Sequence, residues 1–555
     1  MPKVKKQTAG KIGLLAAILY IIGNVVGIGI FFKNGTVFRL NNGNYLGVLL
    51  AWIISIVIVL CMALSFAEVS TCKMKNKNAG VGGWAEQFCG HGFGRYAKTG
   101  YSLIFWPANT FAIMFFAGEA ILNCFAPLLS KSDWRISISS YDFGPATTAI
   151  VFGIGLVLFA IFMILNYFKS NAMGKAGSVI SFVKFAPILM VVVLGIAFGI
   201  MWQQGGAWNG VFFENTETET VYTNVFEPMG IISAIPAILF SFEGYISIGN
   251  ISGDIENADR NLSLSIVLGV IIISVLYLAV TIGCITAGTG NVYNLMQILF
   301  DKNTIAFKAT TMIISIFIFI CLIGCTNGMA RGGISAFQSL CEERAMFKSS
   351  ALLRAKPGNK MFAGTVWFFA MVMFWWIILV IPSSILNTDA MADGSSTSMV
   401  LCLYLIYGVT VLGGLVNRKT KKVSVKKQKA FPVTATIGVL GCLFMVVFVG
   451  FIQFMVAPIM SGMNNFDGTN MWHGLKSGWG MFVRGQNCLG TAVLNPDNGI
   501  YSYQLKNLEV MAWFWGMTLV MALLPIFNDL LIKANGNPEH QQLIWQKGHK
   551  AARIG

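Results

Sequence analysis

Charge is scarce in this sequence. Only 11% of its 555 residues are Asp, Glu, Lys or Arg, against about 25% in an ordinary soluble domain, which excludes a surface facing water on all sides. Acid is scarcer than base, 23 residues against 39, for a net charge of +16. The four histidines, His91, His473, His540 and His549, fall in loops and tail, too dispersed for a metal centre or a catalytic constellation. The expectation is therefore not an enzyme, with no metal and no cofactor. The eleven cysteines lie mostly inside apolar runs without metal-ligand spacing and read as small buried hydrophobes. Cys488 has no evident partner, so no disulfide framework is expected. Short alternating strands of a β-barrel are missing, as are the re-entrant filter or rings of like charge of a channel. A cleavable leader is also not expected. Lys3, Lys5, Lys6 and Lys11 run straight into a full-length apolar span with no small-residue cleavage pattern.

What fills the chain is hydrocarbon: 55% of residues are hydrophobic and the mean hydropathy is +0.69. Twelve apolar runs, each long enough for a roughly 30 Å hydrocarbon core, fall near 12–32, 45–67, 99–126, 145–168, 177–202, 226–250, 263–288, 305–335, 361–382, 398–416, 432–458 and 508–532. The fold class expected is an all-α polytopic membrane protein embedded in a lipid bilayer. The basic residues settle in alternate loops, which excludes nucleic acid as their partner and sets topology. With the N-terminus (1–11) in the cytoplasm, about thirty of the 39 Lys and Arg lie inside. The strongest marker is the loop 417–430, with Arg418, Lys419, Lys421, Lys422, Lys426, Lys427 and Lys429; anionic lipid is its alternative partner. Both termini, including the tail 533–555, are then cytoplasmic. The long segment 459–507 faces outside, as a lid or as an insertion.

The first apolar run contains Gly23-Asn24-Val25-Val26-Gly27-Ile28-Gly29-Ile30-Phe31. Glycine inside a helix costs about 1 kcal/mol relative to alanine. In hydrocarbon a loosened backbone also leaves amides and carbonyls without partners, unless they line a polar cavity. One reading is a broken helix whose bared groups meet a ligand; the other is a glycine face packed on a neighbouring helix. The sixth run supplies a second interruption around Pro236, Glu243, Gly244 and Gly249. The second break comes five runs after the first, so units of five spans are inverted with respect to each other. Paired broken helices in inverted halves point to a transporter's central site. The halves are 12–202 and 226–416, with 431–532 holding two added helices. Amides around Val26, Gly27, Ile28, Gly29 and Ile30 form a helix N-terminus suited to a carboxylate. Freed carbonyls at Phe240, Ser241 and Glu243, beside Gly244, suit an ammonium. Both poles together match an amino-acid substrate. Asn24 adds a side-chain donor or acceptor. Phe240 reads as a gate over the ligand or as ordinary core.

Several motifs resemble the amino acid–polyamine–organocation superfamily. Gly27-Ile28-Gly29-Ile30-Phe31 is similar to its G-S-G-I-F element, with Ile28 where serine is usual. Ala67-Glu68, Gly80-Val81-Gly82-Gly83 and Gly92-Phe93-Gly94-Arg95 resemble its A-E, P-x-G-G and F-G segment, with Gly80 in place of proline. Phe240-Ser241-Phe242-Glu243-Gly244-Tyr245 and Gly253-Asp254-Ile255-Glu256-Asn257 resemble its sixth span and following loop, with Ala258 where proline is usual. The resemblance implies a LeuT-like 5+5 inverted repeat with broken helices 1 and 6. It implies a secondary transporter in the plasma membrane, moving amino acids by alternating access with protons as the coupled partner. An exchanger, or a non-transporting sensor, stands as the alternative. Lys184 matches a span 5 lysine of proton-coupled members, whose ammonium resembles a replacement for a sodium ion bridging spans 1, 5 and 8. Snorkelling to the surface is its competing role. Glu243 is an intramembrane acid and a second proton-coupling candidate. It is also a candidate partner for a cationic side chain. Glu119 is expected near a solvated outer end, Arg331 at an inner end, and Asn109 and Asn166 as helix–helix hydrogen-bonding residues. Oligomeric state is left open.

Overall fold

The computed structural model describes residues 12–27, 29–73, 80–125, 147–201, 225–287, 295, 304–385, 390–456, 491–494, 501–504 and 507–534. The N-terminus 1–11, the tail beyond 534, Ile28 and most of 459–507 lie outside the described residues. Within that last segment, strands β1 (Thr491–Leu494) and β2 (Tyr501–Gln504) pair antiparallel, Leu494 opposite Tyr501. The rest is helical. The helices are α1 (Leu14–Val25), α2 (Asn34–Leu40), α3 (Tyr45–Val69), α4 (Gly80–Cys89), α5 (His91–Phe125), α6 (Thr147–Val183), α7 (Phe185–Met201) and α8 (Pro228–Ser241). After these come α9 (Ala258–Ala287), α10 (Ile305–Glu342), α11 (Ser349–Ala355), α12 (Lys360–Ile385), α13 (Ala390–Thr420), α14 (Phe431–Phe444) and α15 (Asn507–Ala534).

Among the described residues, nine helical stretches are long and apolar enough to cross a membrane. One of them, Ala149–Ala197, has 49 residues, about twice what a bilayer needs. It is divided at Lys169 (φ −131°, ψ 41°), so the expected inner loop after span 4 is a bend inside continuous helix. The shorter apolar helices α1 and α8 each continue past an interruption, α1 into a π-wound turn (Gly29–Lys33) and α2, α8 into a 3-10 helix (Ser247–Asp254). These account for the twelve expected crossings. Large apolar side chains such as Val157, Val179, Val193, Val275 and Leu530 stand on the outside more than half exposed, as lipid-facing residues do. The chain is a multi-pass membrane protein.

Prolines shape the interior. Pro107 removes the N–H that would bond the Leu103 carbonyl, and the Trp375 indole of α12 donates to that carbonyl instead, at 3.3 Å. This happens on α5, which packs against α4, α6, α10, α12, α13 and α15 and forms the centre of the bundle. Pro187 does the same to the Val183 carbonyl, and the helix is interrupted there, at Lys184, between α6 and α7.

The two broken spans pair half by half. Ile12 N–H donates to Asp254 O (2.8 Å) and Glu256 N–H to Ile12 O (2.9 Å). These bonds join the start of α1 to the end of the 3-10 helix of span 6. On the other half, α2 and the π turn pack on α8. A Cβ on Gly29 would fall 2.5 Å from Ser241 Cα, so only glycine permits that approach.

Polar clamps close one end of the bundle. Arg418 pairs with the buried Glu68 at 2.5 Å, and Gln428 N–H donates to the same carboxylate at 2.6 Å. Glu68 is 2% exposed. Removing one partner of such a pair costs about 3–5 kcal/mol, because a buried charge is left alone. Arg418→Ala should therefore lower the melting temperature in detergent by several degrees. Arg418→Ala with Glu68→Gln should recover part of that loss, which a thermal-shift series checks.

Candidate functional site

The site sits where the two interruptions face each other. α1 ends at Val25, and Val26 (φ −72°, ψ 110°) turns the chain out of helix. α8 ends at Ser241, and Gly244 carries φ +103°, a conformation suited to glycine. Two helix C-termini and the starts of two helical segments thus converge. The partial charges of those ends offer a negative and a positive pole.

A small cleft opens between them, lined by Asn24, Val25, Gly29, Asn109, Ile113, Phe240, Ser241, Glu243 and Cys325. Of the residues expected to touch substrate, Asn24, Gly29, Phe240, Ser241 and Glu243 are on this lining. Three others are not. The Val26 carbonyl turns to Lys184. Gly27 packs on Cys325, whose sulfur a Cβ would meet at 2.5 Å. Gly244 holds the turn, its carbonyl accepting from Ser247 N–H at 3.1 Å. Ile28 lies outside the described residues.

Lys184 is fully buried. It does not snorkel, because its ammonium donates to Gly23 O (2.6 Å), Val26 O (2.8 Å) and Cys325 Sγ (2.9 Å). One cation thus joins the end of α1, the kink before α7 and the middle of α10. Carbonyls bared by the helix break are natural acceptors for it.

The freed carbonyls of span 6 are not all open to an ammonium. Phe240 O accepts the Glu243 N–H at 3.0 Å within the turn. Ser241 O is met by the Tyr277 hydroxyl at 3.0 Å, which also lies 3.1 Å from Val25 O. Tyr277, from α9, therefore bridges both broken ends. Asn24 Nδ2 donates to Ser247 Oγ at 3.2 Å, a second tie between them.

Glu243 is 3% exposed. One of its oxygens accepts from the Tyr407 hydroxyl at 3.2 Å, and among the described residues the other has no hydrogen-bond partner. Among the described residues, the hydroxyls of Tyr245 and Tyr404, buried nearby, also have no hydrogen-bond partner. Unsatisfied buried polar groups cost about 1–3 kcal/mol each, so a cluster of them beside a cleft favours a polar guest.

Two expectations are corrected. Asn109, expected to join helices, lines the cleft from α5, and no helix–helix hydrogen bond holds it among the described residues. Glu119 is 3% exposed and not solvated, because α5 is enclosed there by α6, with Gly118 lying on the Val151 carbonyl. Asn166 does join helices, donating to Asn327 Oδ1 at 2.8 Å. Arg331 is half-buried, against Gly174. Sequence reasoning missed Tyr277 and Cys325. Tyr277 stands alone in an apolar helix, and Cys325, one turn after Cys321, reads as another small buried hydrophobe.

Broken paired helices around a buried polar cleft define a membrane transporter. The profile of the amino acid permease family matches residues 12–471. The chain belongs to that family, within the amino acid–polyamine–organocation superfamily, and is an amino acid transporter. It is 22% identical over 419 residues to the serine/threonine exchanger SteT of Bacillus subtilis, covering 74% of this chain and 84% of SteT. It is 26% identical over 423 residues to the mouse b(0,+)-type amino acid transporter 1, covering 74% and 77%. A match to the high-affinity methionine permease of Saccharomyces cerevisiae is 23% identical over 279 residues, half of this chain and 44% of the permease.

Tyr277→Phe keeps the ring and removes the hydroxyl shared by Val25 O and Ser241 O. The loss should be about 1–3 kcal/mol, read as a lower melting temperature in detergent. Tyr404→Phe, whose hydroxyl has no partner, should melt within about a degree of the parent.

Proposed function

We propose that this transporter is a proton-coupled symporter of the plasma membrane with a LeuT-like 5+5 inverted repeat. Residues 12–202 and 226–416 are the two repeats, and both termini are cytoplasmic. The observation that carries the coupling is the Lys184 ammonium on the broken end of α1. Protonated, it supplies three donors and a charge to the Gly23 and Val26 carbonyls and the Cys325 sulfur. Neutral, it loses the charge and a donor, and the half-helix α1 is freed to move. Proton binding is thereby linked to the state with α1 held, and substrate binding at the same break shifts the same equilibrium.

The substrate carboxylate sits at the helix start around Gly29, and its ammonium faces the C-terminal ends of α1 and α8. The side chain points to Glu243, whose unpartnered oxygen favours a cationic or polar group. An amino-acid exchanger is the second reading. The likeness to SteT, whose name is that of a serine/threonine exchanger, supports it.

Uptake of the twenty amino acids into proteoliposomes, with and without an inward proton gradient, tests the reading. Gradient-stimulated uptake, lost in Lys184→Ala, is expected. Uptake only into vesicles preloaded with amino acid contradicts symport and supports exchange. No flux for any of the twenty, in folded protein, contradicts both readings and leaves the sensor. Glu243→Gln should reduce uptake of lysine and arginine about tenfold or more, as loss of a charged hydrogen bond does, and leave small neutral substrates within about threefold. Equal losses for both classes would remove Glu243 from side-chain selection.

A further inference from the structure

A second buried lysine has no part in the account so far. Lys33 is 3% exposed and ends the π-wound turn Gly29–Lys33. A cation in this position is costly, and intramembrane charges are kept where they do something. Its ammonium lies over the face of Phe240, 5.3 Å from the ring centroid, within the roughly 6 Å range of a cation–π contact. Phe240 is one of its partners and not the sole one.

The two residues stand on the two half-helices of one pair, the π turn and α8. Phe240 belongs to α8 and lines the cleft. Lys33 belongs to the half of span 1 after the break. The next residue, Asn34, is braced to the scaffold: its Oδ1 accepts from the Trp52 indole of α3 and from the Thr281 hydroxyl of α9, both at 3.2 Å. A lysine on a fixed support thus reaches a ring on the broken helix. π turns inside helices recur at functional sites.

We propose that Lys33 is a positioning residue of the outer gate, its ammonium holding the Phe240 ring down over the cleft. The proposal rests on the transporter reading and its orientation, with Phe240 on the outer side of the cleft. Opening that gate then requires the ring to leave the cation. The residue acts through Phe240 and does not itself touch substrate.

Cys325 is a native reporter, because it lines the same cleft as Phe240 and is 2% exposed. In full-length protein carrying Cys488→Ser, its modification by the membrane-impermeant thiol reagent MTSET, added outside, measures how often the outer gate opens. Cys325→Ser gives the background. Lys33→Met keeps the stem and removes the charge, and should raise the rate about three- to tenfold. Lys33→Arg, which retains a cation over the ring, should label near the parent rate. In a Phe240→Leu background, Lys33→Met should add less than about twofold. Equal rates for the parent and Lys33→Met, or the same rise with and without the Phe240 ring, overturn the proposal. If Lys33→Met does not fold, Phe240→Leu alone decides: a rise of similar size supports the latch, and an unchanged rate overturns it. Labelling needs no substrate. A failed latch with intact uptake therefore leaves the transport reading standing, and failed uptake with the predicted labelling leaves the latch standing.

Discussion

The constraint on which this structure depends is unpaired backbone inside hydrocarbon. Every amide or carbonyl left without a partner there costs several kcal/mol, and two interrupted helices leave many. The fold answers with side chains aimed at the broken ends. Lys184 takes the carbonyls of Gly23 and Val26, and Tyr277 reaches those of Val25 and Ser241. Asn24 and Ser247 tie the remaining gap. What stays open is the cleft, which Asn24 lines together with Val25 and Ser241, the residues whose carbonyls Tyr277 meets.

The same arrangement divides the broken spans into two pairs. On one side α1 is stitched to the end of span 6 through Ile12, Asp254 and Glu256. On the other, the π turn and α2 lie against α8 through Gly29 and Ser241. Each pair contains one half of each interrupted helix, and the ties between pairs run through few side chains. Lys184 anchors one pair to the helices around it.

Much of this was legible in the sequence. Three glycines around Asn24, and Pro236 with Gly244 in the sixth run, marked both breaks, because glycine and proline are poor residues for a helix in lipid. Twelve apolar runs gave the crossings, and Lys184 and Glu243 stood out as charges inside them. Other parts were hidden for physical reasons. The π-wound turn is a change in winding that no residue pattern encodes. Tyr277, Cys325 and Asn109 reach the site only through helix rotation and packing, which hydropathy does not reveal. Lys33 lies at the end of its apolar run and was masked by position. The carbonyl of Phe240, expected to be free, is closed by the turn that Gly244 makes possible.

The claim that most needs testing is that the Lys184 ammonium holds α1 in place. Spin labels at the lipid-facing positions Leu15, on α1, and Val179, on α6, report the distance between the held half-helix and its anchor in nanodiscs. The account predicts one narrow distance population in the parent and a broader, longer one in Lys184→Met. Identical distributions in parent and variant would contradict it, because α1 would then be held by packing alone.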